Sequence, residues 1–416
     1  MNRAPALLAW AWLVACSGAA PEQLATPSPA PPPAAEPQRP ELELPDGSLS
    51  RPIREGHTHH PSAVTADVER ARAILGDVVT RYGVVEDQPW ALGHALLALG
   101  PDVQMASGSS AVDHLFEAWA EQVEVGGESL VRFPSKRGST RVEPHPGLMI
   151  KVLAEVGVTP DRQVSVQGRP HVVADAWRYA MATTWTDGGN SSYASYNESP
   201  WVLQALATWA PAGSAWRSEG HDMTVDRLTS DVVGQMYKDT AFMREAVAAG
   251  RSFEKKGQGI FTYTCGGAHL LQGASYAVAR GFGTEDDRLR IAEEIEVLFH
   301  RLPFEVGLVD KLMQQQPDYA VILVEQRLKF LGHWLETIHK ADAMGLFTPT
   351  EDQRRQMDAA TGELVRTVLL IEQLGVYGKL EQIRAAREQS WFDYVGDSAH
   401  ALRGLDLATG QASVLY

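Results

Sequence analysis

The stretch CGGAHLLQGASYAVARGFG, residues 265–283, decides how the rest of the chain is read. It begins at two glycines, ends at Gly281 and Gly283, and between them is apolar or small on nearly every side. A helix that is apolar all round has to be buried all round, whereas a surface helix buries one stripe. Four other segments share this character: QPWALGHALLALGPD (88–102), PHPGLMIKVLAEVGVTPD (144–161), ESPWVLQALATWAPAG (198–213) and VGDSAHALRGLDLATG (395–410). Between them run longer segments of a different kind. ADVERARAILGDVVTRYG (66–83) places Val68, Ala71, Ile74, Leu75 and Val78 on one stripe with charges opposite, and 224–250, 285–302, 318–345 and 350–378 continue that style. Thr350, followed by acidic residues, suits an N-cap. Gly83, Gly250, Gly345 and Gly378 stand where such helices should stop. Strand signals are confined to SLVRFPS (129–135) and RQVSVQG (162–168). The pattern predicts a nearly all-α domain over residues 63–416.

Buried and amphipathic helices alternating at irregular spacings of roughly 50 residues imply stacked helical hairpins. Closed into a ring, the buried helices make an inner barrel and the amphipathic ones an outer barrel. This is similar to the α/α-toroid architecture of terpenoid cyclases, protein prenyltransferases, lanthionine cyclases and many polysaccharide-active enzymes. The resemblance is one of architecture over about 65–410 and brings no family motif with it. The alternatives are an open α-solenoid or an irregular helical bundle.

Histidines recur at related places in the inner segments: His94 in LGHALL, His269 in GGAHLL and His400 in DSAHAL. LGHWLE (331–336) repeats the first pattern with His333 inside a longer helix, and His145 precedes another inner segment. The toroid resemblance implies that inner-helix N-termini line one mouth of a central cavity, where these imidazoles could meet. Cys265 and His269, four apart, share a helix face if Cys265 lies in the first turn. The pair reads in three ways: a small buried hydrophobe beside a hydrogen-bonded histidine, a metal-ligand pair, or a nucleophile with its base. As a metal site it suits zinc, with His400 or His94 completing three protein ligands and one position left open. The Cys-His dipeptide of lanthionine cyclases and the ligand order of prenyltransferases are both absent.

A second constellation is the loop TTWTDGGNSSYASYNESPW (183–201). Trp185, Tyr193, Tyr196 and Trp201 offer faces for stacking on a sugar or other small ligand, and the loop's carboxylates and amides offer hydroxyl partners. Two suitably spaced carboxylates would hydrolyse a glycoside. Glu198 is the preferred acid, with Asp187, Asp397 or Asp393 as partner. The alternative is a polar connection with no such role.

The chain has 416 residues, a formal charge of −15 and two cysteines. The acidic balance argues against nucleic acid as a partner, because phosphate binding needs a basic surface. No P-loop, dinucleotide fingerprint, nucleophile elbow or HExxH motif occurs. Residues 1–15 read as a secretory signal: Arg3, then an apolar run too short to span a bilayer. Leu13-Val14-Ala15-Cys16 resembles the bacterial lipoprotein box, which implies cleavage before Cys16 and its acylation. Ser17, with no aspartate there, leans towards the outer membrane. Residues 16–62 are rich in proline and alanine and read as a tether from bilayer to domain. His57, His59 and His60 at its end form a solvated cluster or a metal-scavenging one. Two functions follow as expectations: first, a binding or scaffold role in the envelope; second, an enzyme acting on a glycan or other envelope polymer, with or without zinc, at the mouth of the toroid.

Overall fold

The structure, a computed structural model, describes residues 49–192, 196–253, 255, 257 and 259–416. The signal sequence, Cys16, most of the tether and Tyr193 lie outside the described residues. Among the described residues the fold is all-α: fourteen α-helices, joined by turns and six two-stranded ladders. No described helix is long and apolar enough to cross a membrane.

Six helices occupy the centre: α2 (Pro89–Leu99), α4 (Leu148–Glu155), α6 (Ser199–Trp209), α9 (Ala268–Ala279), α11 (Ala320–Ala343) and α14 (Glu388–Ala408). Each packs on the next in that order, and α14 packs back on α2, so the contacts form a closed cycle. An open solenoid would leave the first and last hairpins apart. Against the inner helices lie α1 (Ala66–Val78) on α14, α3 (Ala111–Trp119) on α2, α5 (Ala174–Thr183) on α6, α7 (Val225–Asp239) on α9, and α10 (Glu285–Gln315) and α12 (Glu351–Gln373) on α11. Two short helices, α8 (Ala241–Ala248) and α13 (Leu380–Ala386), complete the count. Thr350 caps α12 through a capping box with Gln353, as its sequence implies. The expected strands form as β3 (Glu128–Arg132), paired with β2 (Glu121–Val125), and β6 (Gln163–Val166), paired with β7 (Arg169–Val172). The hairpin of β10 (Ala215–Ser218) with β11 (His221–Thr224) has no comparable signal in the sequence.

One helix departs from its reading. The pattern over 318–345 predicts an outer amphipathic helix, yet α11 belongs to the inner ring and is buried along most of its length. Its polar residues Lys329, His333, Glu336 and Lys340 are turned inward, each no more than 6% exposed. Its polar stripe therefore faces the axis of the ring. Close approach to α14 is made possible by Gly332 and Gly404: a Cβ on Gly332 would stand 2.9 Å from the backbone nitrogen of Ala401, and one on Gly404 2.8 Å from the Gly332 carbonyl.

Charges so deeply buried have to be paired. Lys340 Nζ lies 2.5 Å from Glu336 Oε1 and also binds Glu155 on α4. Glu155 in turn takes Lys151 at 2.8 Å and the Gln204 amide of α6 at 2.8 Å. Glu336 Oε2 accepts from His400 Nδ1 of α14 at 2.7 Å. Burial alone would raise the Glu336 carboxyl, but Lys340 and His400 outweigh it and hold it well below the usual carboxylate range. One polar ladder thus joins α4, α6, α11 and α14 across the ring.

The end of the proline-rich segment is already part of this body. Glu55–Gly56 (β1) pairs with Val414–Leu415 (β12), and Thr58 donates to the Leu407 carbonyl at 2.9 Å. The packed region therefore begins ahead of residue 63. His57, His59 and His60 are exposed there.

Lys340→Met should destabilise the protein by about 3–5 kcal/mol in urea unfolding, because Glu336 would lose its ammonium partner and Glu155 one of its cations. Adding Glu155→Gln should recover part of that loss. Gly332→Val should cost about 1–3 kcal/mol by overpacking the α11–α14 contact.

Candidate metal centre

All six inner helices contribute to one cavity of about 290 Å³. Trp90, Leu148, Trp201 and His269 reach it from the first turns of α2, α4, α6 and α9, while Lys329, His333, Asp397 and His400 reach it from the bodies of α11 and α14.

Cys265 enters the cavity by a strained backbone. It precedes α9, which starts at Ala268, so the condition that Cys265 lie in the helix's first turn is not met. Its φ of 51° and ψ of 34° are left-handed, as are those of Gly266 and Gly267 after it. Among the described residues two other non-glycine residues have positive φ, Gln167 and Glu219, and both sit in two-residue hairpin turns. Cys265 has no hairpin to account for it, and such outliers collect at functional sites. Three contacts hold the turn. Asn197 Oδ1 accepts from the Thr264 N–H at 2.7 Å, Asn197 Nδ2 donates to Thr264 Oγ1 at 2.9 Å, and Arg301 donates to the Gly266 carbonyl at 3.0 Å. Gly267 is required for space as well, since a Cβ there would lie 2.3 Å from Ile260.

The turn brings the Cys265 sulfur to within 4.8 Å of donor nitrogens on His269 and His333, and those nitrogens lie as close to each other. The imidazoles are prepared as ligands. His333 Nδ1 is 2.8 Å from the Lys329 carbonyl. A carbonyl only accepts, so Nδ1 carries the proton and Nε2 keeps its lone pair. That Nε2 is buried with no hydrogen-bond partner, as is His269 Nδ1. His94 makes the same one-turn bond to the Trp90 carbonyl at 2.8 Å. Burial lowers His94 to about 3 and pushes His269 and His333 well below the usual histidine value, so all three are neutral at pH 7. Ring centroids lie 4.0 Å apart for His333 and His400, 5.1 Å for His269 and His333, and 5.3 Å for His94 and His400. Two histidines and a cysteine are a donor set that a divalent transition metal such as zinc accepts. The carboxylate of Glu336 behind His400 is the kind of support that orients a metal-site imidazole.

Above this floor Trp90 lies against His94 at 4.0 Å and Trp201 against His269 at 4.1 Å. Glu198 Oε2 accepts from His145 Nδ1 at 2.9 Å, and its Oε1 accepts from Asn197 at 2.7 Å. Asn197 therefore ties the Glu198 carboxylate to the Cys265 turn. Lys329 stands 3.0 Å from Glu325 and 3.6 Å from both Asp393 and Asp397. Burial raises Asp397 well above the usual carboxylate range; Lys329 opposes that shift and Glu325 adds to it.

Of the residues singled out in the sequence, Cys265, His269, His94, His400, Glu198, Asp397 and Trp201 line this one cavity. Asp187, Trp185 and Tyr196 are not among its lining residues. Asp187 is 61% exposed and pairs with Arg227 at 3.3 Å. Trp185 stacks on His221 at 3.9 Å and donates to Glu219. Tyr196 is buried in the core and donates to the Asn190 carbonyl at 3.4 Å. The hairpin at 186–191 keeps Trp185 and Asp187 away from the cavity lining. His333 is the member of the Cys265–His269–His333 cluster that the sequence reading kept outside its metal set: its LGH repeat is visible, but the helix bearing it reads as an outer one.

No protein-family model matches the chain, and neither a curated protein nor a solved structure matches it significantly.

Asn197→Ala should release the Cys265 turn and weaken metal binding roughly 10–100-fold, the usual cost of losing an outer-shell support. Competition with a chromogenic chelator measures it, and circular dichroism should show unchanged helix content.

Proposed function

We propose that this chain is a zinc-dependent hydrolase of the bacterial cell envelope, acting on a small ligand or the end of an envelope polymer. The observation that carries this reading is the convergence of the Cys265, His269 and His333 donor atoms within 4.8 Å on the floor of an accessible cavity. Bound zinc supplies Lewis-acid polarisation of a carbonyl and a water whose pKa falls to about 7.

The chain's own residues supply the rest. Glu198, oriented by His145 and Asn197, is the base that takes a proton from the attacking water and returns it to the leaving group. The water oxygen bonds to the carbonyl carbon, the bond to the leaving nitrogen or oxygen breaks, and the products are a carboxylate and an amine or alcohol. His400, held by Glu336, and His94 complete the polar floor and are available as a fourth ligand or as donors to the developing oxyanion. Trp90 and Trp201 wall the site and shield it from water. Asp397 is tied into the Lys329 cluster, which favours metal-assisted chemistry over a glycosidase carboxylate pair. The lipobox and proline-rich segment support anchoring through acylated Cys16, with the outer membrane as the favoured location. The binding or scaffold role stands as the reading to return to if the metal fails.

Protein made with Cys16 replaced should carry one zinc per chain. Cys265→Ser and His333→Ala should each lower zinc affinity at least tenfold, and Glu198→Gln should reduce turnover of a chromogenic amide or ester by about 10²–10⁴ with zinc retained. Absence of stoichiometric metal, together with thermal stability unchanged by chelator, would overturn the zinc reading.

A further inference from the structure

The mouth of the cavity carries two cations that the proposed chemistry does not use. Lys136 and Arg141 are directly opposed across the short ladder of β4 (Lys136–Arg137) and β5 (Thr140–Arg141), and both line the cavity. Among the described residues neither has an acidic partner, in a chain whose formal charge is −15. The other charged groups of the lining are already committed: Glu198 to His145, and Lys329 to Glu325, Asp393 and Asp397. Arg141 is also held in place. Its guanidinium lies over the Phe392 ring, 4.9 Å from the centroid, and donates to Gln389 Oε1 at 3.2 Å. An arginine fixed by its flank, with a lysine facing it, offers converging donors to a planar anion.

We propose that Lys136 and Arg141 form a carboxylate-recognition element, so that the site takes an N-acylated amino acid or the C-terminal residue of a peptide. The carboxylate sits between the two cations at the mouth, and the acyl carbonyl reaches towards the Cys265–His269–His333 floor. A cavity of about 290 Å³ suits one such residue, and Trp90 and Trp201 flank its apolar part. One guanidinium fork facing one ammonium matches the two oxygens of a single carboxylate. The assignment rests on this cavity being the functional site but needs no zinc for its test.

The test compares N-acetyl-L-phenylalanine with N-acetyl-L-phenylalanine amide by tryptophan fluorescence and calorimetry, in zinc-free and zinc-loaded protein. The expected result is binding of the acid at least tenfold tighter than the amide in both forms, as one charge-assisted hydrogen bond provides. In K136Q/R141Q the preference should fall to near unity, with zinc content and circular dichroism unchanged. R141K should restore less than the full preference, because lysine cannot reproduce the planar fork. A preference that appears only with zinc and survives in K136Q/R141Q would place the carboxylate on the metal and overturn the proposal. So would tighter binding of phenyl phosphate than of the acid, or no binding of the acid to either form. Failure of zinc binding alone leaves the zinc-free comparison intact, so the two ideas fail separately.

Discussion

Lys340 sits inside the ring of inner helices, 1% exposed, with its ammonium shared between Glu336 of its own helix and Glu155 of α4. A charge there is tolerable only while it is paired: the ammonium needs its two carboxylates, and they lean on it together with Lys151 and His400. This mutual dependence fixes how α4, α6, α11 and α14 rotate about their axes, since Gln204 and His400 complete the same ladder. Any rotation that buried the polar stripe of α11 elsewhere would strand at least one ion. The packing glycines on α11 and α14 then set how close the helices come, while the ladder sets which faces meet.

The ladder ends at the cavity. Glu336 bonds to Lys340 on one side and to His400 on the other, so the axial charges and the imidazole cluster are one connected system. The opposite wall is built differently. There Asn197 joins the Cys265 turn to Glu198 and holds a left-handed conformation that a non-glycine residue adopts only with outside support. Two independent constraints therefore converge on the same few ångströms: paired buried charges below and a clamped backbone turn above. Neutral, buried imidazoles beside a half-buried thiol have little structural purpose of their own, since an apolar residue would fill the same space at lower desolvation cost.

Much of this is legible in the amino-acid sequence because most inner helices are apolar all round and most outer ones have a single stripe. That contrast is visible for residues 265–283 without any structure. It fails for α11, whose inner face is polar because it carries the ladder. Periodicity reports that a helix has two faces and is silent on which one faces in. For that reason His333 stands outside the metal set read from the sequence, although it shares the LGH pattern of His94. The loop 183–201 splits for another reason: the small ladder at Thr186–Asp187 and Asn190–Ser191 keeps Trp185 and Asp187 out of the cavity lining, while Glu198 and Trp201 run into α6 at the cavity wall. Short hairpins of that size leave little periodic signal. The strain at Cys265 is likewise invisible in sequence beyond the two glycines that follow it.

The central claim is that Cys265, His269 and His333 hold one divalent metal with a position open to the cavity. The visible and near-ultraviolet absorption of the cobalt(II)-substituted protein tests it most directly, because cobalt reports both coordination number and thiolate ligation. The account predicts intense ligand-field bands of a four- or five-coordinate ion together with a thiolate-to-cobalt charge-transfer band that disappears in Cys265→Ser. A weak six-coordinate spectrum, or a charge-transfer band that persists in Cys265→Ser, would contradict it.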